Sequence, residues 1–228
     1  MEYQCIDIGL TDYRQGLALQ KEYLGLVKSG EIEGALIFTE HRPVFTLGRS
    51  ADKNNFLINE KSIKAQGIEI HEADRGGDIT FHGPGQLVAY PIIDLNNHYR
   101  DIHRYLRGLE EATISTLSDF QIDSFREDKR TGCWTAHGKI ASIGIAASRW
   151  ITYHGVAINA NVDLKYFDMI HPCGFKDIKV TSIEEILSKP ADLALLKQSF
   201  LNHFSKAFQC TAELLSAAEH AHVSARFS

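Results

Sequence analysis

The order of the predicted secondary structure constrains the fold of this chain more than any other feature. Apolar residues recur at helical spacing in three long stretches, which predict helices over 12–29, 101–119 and 191–208. Short strands are predicted between them, at 35–39, 44–47, 68–71, 79–82, 87–94, 140–146, 150–154 and 156–161, the last two separated by Gly155. A capping box from Ser182 to Glu185 predicts a short helix before Pro190. Because the strands are clustered and do not alternate with helices, we expect an α/β fold of the α+β type, with mixed or antiparallel sheets and flanking helices.

Length and composition narrow the class of protein. The 228 residues are 44% apolar and carry a net charge of −5, which favours one globular domain over 1–228 and argues against a nucleic-acid partner. No stretch is apolar enough to span a membrane, and the first residues lack the pattern of a signal peptide. Four widely spaced cysteines without a C-x-x-C pair argue against zinc or disulfides and favour the cytoplasm.

A glycine-rich segment from Arg75 to Gln86 is the first candidate for function. It reads R-G-G-D-I-T-F-H-G-P-G-Q, so glycines that let a backbone approach a ligand lie between an arginine and a histidine. The alternative is two turns joined by a strand, in which the glycines serve geometry alone.

Two single residues are further candidates. Lys139 lies in an otherwise apolar run, G-K-I-A-S-I-G, as either a functional amine or an edge lysine that extends to water. Cys173 lies between Pro172 and Gly174, on a turn where a thiol is reachable, although most free cysteines are small buried residues. The two are 34 positions apart, and spacing cannot show whether the fold joins them.

Taken together, these segments resemble the octanoyltransferase (lipoyl(octanoyl) transferase) family over about residues 35–188. Five blocks match in order: Glu40–Gly48, Arg75–Gln86, Gly138–Gly144, His154–Asn159, and Pro172-Cys173-Gly174 with Thr181-Ser182. The N-terminal stretch is compatible with this resemblance, and the tail over 211–228 is uninformative. The resemblance implies the fold of the lipoate and biotin protein ligases.

The resemblance also implies roles for particular residues. Cys173 is then the nucleophile that forms an acyl-thioester, and Lys139 is its general acid and base. The implied substrate-binding residues form three stretches, namely Arg75, Gly76, Gly77, Asp78, Ile79, Thr80, Phe81 and His82, then Ser142, Ile143 and Gly144, and finally Gly155, Val156 and Ala157. Cys133 stands where an apolar residue is expected before Trp134, and we interpret it as packing.

The implied reaction moves an octanoyl group from octanoyl-acyl carrier protein to a lysine of the lipoyl domains of 2-oxoacid dehydrogenases and of the glycine cleavage H protein. Neither ATP nor a metal is expected. Phe81, Tyr90, Val156 and Ile158 are candidate walls of an apolar slot for the chain, although apolar strand residues more often belong to the core. Arg149, Lys176 and Lys179 are candidates for a basic patch toward the acidic carrier, with scattered surface charge as the alternative. Backbone N–H groups near Gly76–Gly77 or Cys173 are candidates to stabilise the oxyanion, and we expect His82 to orient groups.

Three other readings remain open from the sequence. An ATP-dependent lipoate or biotin protein ligase of the same fold needs no nucleophilic thiol, so the Pro-Cys-Gly turn counts against it. A non-catalytic acyl- or carrier-binding module needs neither Cys173 nor Lys139. A cysteine hydrolase pairs its thiol with a histidine, for which His171 is a candidate.

Overall fold

The structure is a computed structural model that describes residues 1–128, 130–172 and 178–214. Its strands are β1 (Glu2–Thr11), β2 (Gly34–His41), β3 (Val44–Leu47), β4 (Glu69–Glu72), β5 (Ile79–His82), β6 (Gln86–Ile93), β7 (Phe125–Glu127), β8 (Arg130–Thr135), β9 (Gly138–Ser148), β10 (Ile151–Asn159) and β11 (Thr211–Leu214). Its α-helices are α1 (Tyr13–Ser29), α2 (Glu60–Ala65), α3 (Ile102–Asp119), α4 (Ile183–Leu187) and α5 (Leu193–Phe208).

The strands form two sheets. The larger has eight strands in the order β11-β1-β2-β6-β10-β9-β8-β7, with parallel pairing among β11, β1 and β2 and antiparallel pairing from β2 onward. The smaller has the order β4-β3-β5, in which β3 is parallel to β4 and antiparallel to β5. Each sheet therefore contains parallel and antiparallel pairs, and mixed sheets are one of the two arrangements that the sequence predicted.

Helices cover both faces of the large sheet. Strand β2 shows why, because its alternate side chains enter two different cores: Leu36 and Phe38 face the core that contains α3 and α5, and Ile37 faces the core that contains α1. Burial on both faces explains why the strand begins with a continuous apolar run, A-L-I-F, without alternation. A third core, around Phe45 and Phe81, lies beneath the small sheet.

Local capping sets the ends of the long helices. Asp12 is the N-cap of α1, and Gly30 ends that helix in the left-handed region at φ 80°. Asp101 and Asp192 accept hydrogen bonds from the free N–H groups at the starts of α3 and α5. Ser182 accepts from the N–H of Glu185 at 3.1 Å, which is one half of the predicted capping box.

The predicted elements agree with the structure apart from one break and several omissions. The break predicted at Gly155 is wrong, because β10 runs unbroken through it. A Cβ at this glycine would lie 2.1 Å from the carbonyl oxygen of Ala89, so glycine here permits close strand approach. The sequence analysis missed β1, β7, β8, β11 and α2. None of the helices in the described ranges is both long and apolar enough to cross a lipid bilayer.

Candidate active site

A cavity of about 350 Å³ lies between the loop that precedes β5 and the inner strands of the large sheet. Thirteen of the fourteen predicted substrate-binding residues line it, namely Arg75, Gly76, Gly77, Asp78, Ile79, Thr80, His82, Ser142, Ile143, Gly144, Gly155, Val156 and Ala157. Lys139 lines it as well. Three segments that are distant in sequence thus meet around one space, and their role in binding stays a prediction.

Phe81 is the exception. Its side chain is fully buried in the core beneath the small sheet, where it stacks on Tyr166 at 4.4 Å and packs against Phe45. The physical reason is the alternation of β5, which turns Thr80 and His82 toward the cavity and Phe81 to the opposite face. Two members of the predicted apolar slot, Tyr90 and Val156, line the cavity, whereas Phe81 and Ile158 do not.

Arg75 holds the glycine-rich loop in place. Its buried guanidinium donates to the carbonyl and hydroxyl oxygens of Thr46 at 2.7 and 2.8 Å, and to the carbonyl oxygen of Asp78 at 2.9 Å. The planar fork of arginine suits several acceptors at fixed angles. A buried cation with these bonds fixes the loop shape and brings positive charge to the cavity wall.

Glycines let this loop pack against its neighbours. A Cβ at Gly48 would lie 2.2 Å from the carbonyl oxygen of Gly77, and one at Gly144 would lie 3.0 Å from that of Gly76. The N–H of Gly76 donates to the carbonyl oxygen of Ile145 on β9 at 2.8 Å. Gly48 and Gly144 are therefore needed for close contact.

His82 is held neutral within a polar network. The amide nitrogen of Gln86 donates to Asn159, so the Gln86 oxygen accepts from His82 Nδ1–H at 2.7 Å and leaves Nε2 to accept from the Thr46 hydroxyl. Burial, with the nearby His41 as a second cause, lowers the pKa of His82 to about 3. Hydrogen bonds at both ring nitrogens hold the neutral imidazole in one orientation, and its expected role in orienting groups stays a prediction.

The network continues from His82 to Lys139. Asn159 Nδ2 donates to the carbonyl oxygen of Thr181 at 3.0 Å, and the Thr181 N–H donates to the carbonyl oxygen of Lys139 at 3.0 Å. The Lys139 N–H in turn donates to the carbonyl oxygen of Lys179 at 2.8 Å. Residues 179–181 are therefore fixed beside Lys139.

Lys139 is buried inside the sheet. Its strand β9 pairs with β8 and β10, and its side chain is 4% exposed, so the edge-lysine interpretation is wrong. The ammonium lies 5.4 Å from the centre of the Trp134 ring, a geometry that favours a cation. A buried amine at the wall of a cavity can exchange protons with a bound reactant.

Cys173 lies outside the described residues, but both neighbouring segments are described. Upstream, the N–H of His171 donates to the carbonyl oxygen of Asn55 at 2.7 Å, and the side chain of Asn55 donates to Asp78 at 2.6 Å. Downstream, Ile178 lines the cavity. Of the described residues on either side, His171 is thus linked to the cavity through Asn55 and Asp78, and Ile178 lines it directly.

The other three cysteines are unsuited to nucleophilic attack. Cys5, Cys133 and Cys210 are all buried. Burial raises the pKa of Cys5 and of Cys133 to about 12 and that of Cys210 to about 11, so their thiolates are scarce at neutral pH. Cys133 is 0% exposed, in keeping with a packing role.

Several cavity residues were missed by the sequence analysis. They are Tyr13, Ser50, Val88, Leu106, Arg130, Thr131, Trp134, Ile145, His154 and Ile178. Tyr13 comes from α1 and Leu106 from α3, where helical periodicity marks both as core. His154 could have been predicted, because it is the first residue of one of the matching blocks. Its Nε2 lies 2.7 Å from Oδ1 of Asp74, and burial lowers the pKa of its imidazole.

Arg149 and Lys179 do not form one basic patch. Lys179 lies beside the start of β9, where its carbonyl oxygen accepts a hydrogen bond from the N–H of Lys139, whereas Arg149 lies in the turn after the end of that strand. The two are separated by about 30 Å of extended chain. Lys176 lies outside the described residues. Arg130, by contrast, lines the cavity itself.

Comparison with known proteins places this geometry in a family. The family profile described as "Lipoyl protein ligase A/B catalytic domain" matches residues 12–205. The octanoyltransferase of Flavobacterium psychrophilum is 42% identical over 225 residues, covering 91% of this chain and 97% of the relative. That of Christiangramia forsetii is 44% identical over 225 residues, with coverage of 91% and 96%.

The chain belongs to the octanoyltransferase family. It is an acyltransferase of lipoate biosynthesis and protein lipoylation.

Solved structures agree on the fold. A lipoate-protein ligase A bound with ATP superposes with a TM-score of 0.75 at 16% identity, covering 97% of this chain and 92% of that one. The biotin protein ligase of Aquifex aeolicus superposes with a TM-score of 0.52 at 11% identity, with coverage of 91% and 69%. The expected ligase-like fold is confirmed.

Proposed function

We propose that this enzyme transfers an octanoyl group from octanoyl-acyl carrier protein, through a thioester on Cys173, to the lysine of a lipoyl domain. Lys139 acts as the general acid and base, and neither ATP nor a metal takes part. One observation carries the proposal: the buried amine of Lys139 lines the same cavity as Ile178, which follows Cys173 in sequence, and as Asp78, to which His171 is linked through Asn55.

The first half-reaction forms the acyl-enzyme. A free cysteine has a pKa of about 8.5, so forming its thiolate at pH 7 costs about 2 kcal/mol, and a neighbouring cation lowers that cost. Lys139 removes the thiol proton, the Cys173 sulfur attacks the thioester carbon, and the bond from that carbon to the carrier sulfur breaks. Lys139 then returns the proton to the carrier thiol.

The second half-reaction transfers the acyl group to the acceptor. The target lysine attacks the acyl-enzyme as a free amine, forms an amide and releases the Cys173 thiol. Lys139 takes the proton that the nitrogen loses and passes it to the departing sulfur. The negative charge that develops on the carbonyl oxygen in both steps needs nearby donors, for which the backbone around Gly77 and the flanks of Cys173 are candidates.

The remaining cavity wall suits the rest of the acyl chain. Val156, Ile143, Ile145 and Leu106 present apolar surface, whereas Arg75 and Lys139 bring positive charge. An eight-carbon chain thus has an apolar wall beside the groups that hold its carbonyl end. We place the lipoyl domains of 2-oxoacid dehydrogenases and the glycine cleavage H protein as acceptors, in keeping with a structural neighbour described with its E2 lipoyl domain.

An ATP-dependent ligase is the competing function, because several structural neighbours are described as lipoate or biotin protein ligases and two of them with bound ATP. The enzyme should acylate a lipoyl domain when given octanoyl carrier protein without nucleotide, and should be inactive with octanoate, ATP and magnesium. Transfer in the second mixture and none in the first would reject the proposal. Release of free octanoate without an acceptor protein would instead identify a hydrolase.

A further inference from the structure

Strand β8 packs against Lys139 in a way that the reaction scheme does not use. The peptide at Gly132 lies so close to this lysine that a Cβ there would be 2.8 Å from Lys139 Cε and 3.3 Å from Nζ. The same atom would be 2.5 Å from the carbonyl oxygen of Ala141. Any side chain at residue 132 therefore has to displace both the end of the lysine and the carbonyl group of Ala141 on β9.

The backbone conformation of Gly132 is also one that L-residues avoid. Its φ is 128°, a value open to glycine and strained for any residue with a Cβ. A register irregularity between Cys133 and Trp134 lies directly after it. Gly132 and Trp134 are two positions apart on β8, and both contact Lys139, one at the end of the aliphatic stem and the other through its ring.

A buried carboxylate holds this part of β8. Glu110 of α3 is 2% exposed, and its Oε1 accepts from the N–H of Gly132 at 3.2 Å. Its Oε2 accepts from Arg107 at 2.7 Å and lies 3.3 Å from Nε of Arg126. Two cations on one oxygen satisfy the carboxylate, and the other oxygen is committed to the Gly132 peptide.

We propose that Glu110 and Gly132 are positioning residues that set the location of the Lys139 amine. Glu110 fixes the peptide of residue 132, and the missing side chain of Gly132 leaves the volume that the end of the lysine occupies. The inference rests on the proposed function, in which Lys139 moves protons. A displacement of about 1 Å at such a group lowers a rate by about 100-fold.

The test is a double-mutant cycle of Gly132→Ala and Lys139→Ala, with steady-state kinetics of transfer from octanoyl carrier protein to a lipoyl domain. Gly132→Ala should lower kcat by about 100-fold and leave KM within about twofold. In the Lys139→Ala background the same change should have almost no further effect, because the group it displaces is gone. Gly67→Ala is the matched control: its φ is 75° and nothing lies within 4 Å of the added Cβ.

The outcomes separate the inference from the function on which it rests. Losses that multiply in the double variant, or a near-normal rate for Gly132→Ala beside an impaired Lys139→Ala, would overturn the positioning role. A near-normal rate for Lys139→Ala alone would overturn the proposed mechanism, and the inference with it.

Glu110 variants test the same inference without the added Cβ. Glu110→Gln retains an oxygen for the Gly132 N–H and should keep kcat within about threefold, whereas Glu110→Ala should lose about tenfold. Circular dichroism and thermal melting identify the temperatures at which each variant is folded. Equal losses from Gln and Ala, with both variants folded, would exclude the hydrogen bond to Gly132 as the cause.

Discussion

Two walls of the cavity differ in how they hold a basic side chain: the first wall is the glycine-rich loop with Arg75, and the second is formed by β8 and β9 with Lys139. Arg75 is fixed by hydrogen bonds to Thr46, Gly76 and Asp78, so its charge is committed to the shape of a loop. Lys139 is held on the opposite side by close packing against Gly132 and by the face of Trp134. The first wall therefore fixes geometry, and the second places an amine where a proton can be exchanged.

The largest expected effect comes from removing the amine of the second wall. Lys139→Ala should lower kcat for octanoyl transfer by about 1,000-fold with little change in KM, because general acid–base assistance is lost. Steady-state kinetics with octanoyl carrier protein measure both constants. A loss confined to KM would assign Lys139 to binding and remove the contrast between the walls.

Distorting the first wall should affect binding more than chemistry. Gly48→Ala places a Cβ 2.2 Å from the carbonyl oxygen of Gly77 and must displace the loop at Gly76–Asp78. We expect KM for the octanoyl donor to rise by about tenfold, with a smaller change in kcat. Gly25→Ala, with nothing within 4 Å of its added Cβ, should leave both constants unchanged. A kcat loss as large as that of Lys139→Ala would show that the walls do not divide their roles.

A charge at the rim tests how the acidic carrier approaches. Arg130 lines the cavity, whereas Arg149 is exposed at the far end of β9. Arg130→Glu should raise KM for octanoyl carrier protein about fivefold more than it raises KM for a small octanoyl thioester, because partly exposed charges steer association with a charged partner. Arg149→Glu is the control. Equal effects of the two substitutions on the carrier would place docking elsewhere.

The smallest effect concerns pH and stability. Burial lowers the pKa of His82 to about 3 and that of His41 to about 4. In the unfolded chain both imidazoles bind a proton near pH 6.5, whereas in the folded chain they stay neutral to a lower pH. The free energy of unfolding should therefore fall as pH drops from about 6.5 toward 4. The free energy of unfolding, measured in urea at several pH values, should depend less steeply on pH in His82→Gln and in His41→Gln than in the unchanged protein. His103→Gln, at an exposed position, is the control. Unchanged slopes in both buried variants would contradict this account.

The sequence predicted much of the first wall and, in the second, Lys139 and its neighbours on β9 and β10, but not the residues of β8 and α3 that support them. Arg75 to His82 form one continuous motif, so the resemblance to the family named all of its cavity residues together with Phe81, which strand alternation turns away. Trp134, Arg130 and Leu106 reach the cavity only through the pairing of β8 with β9 and the packing of α3. Gly132 gave no signal, because its importance lies in contacts with Lys139 and Glu110 that the fold creates.

The shortest strands and helices were not predicted from the sequence for a related reason. Strand β11 pairs with β1 at the edge of the sheet through only four residues, and α2 has six. Segments of this length carry less than two periods of a helical pattern and no decisive alternation. Tertiary pairing, and not local preference, determines their structure.

The central claim is that an octanoyl group passes through the sulfur of Cys173 beside Lys139. Incubation with octanoyl carrier protein in the absence of acceptor, followed by peptide mapping, measures this directly. The account predicts one octanoyl mass increment on the peptide that contains Cys173, removable by neutral hydroxylamine and lost in Cys173→Ala. An adduct on another residue, or full transfer activity in Cys173→Ala, would contradict it.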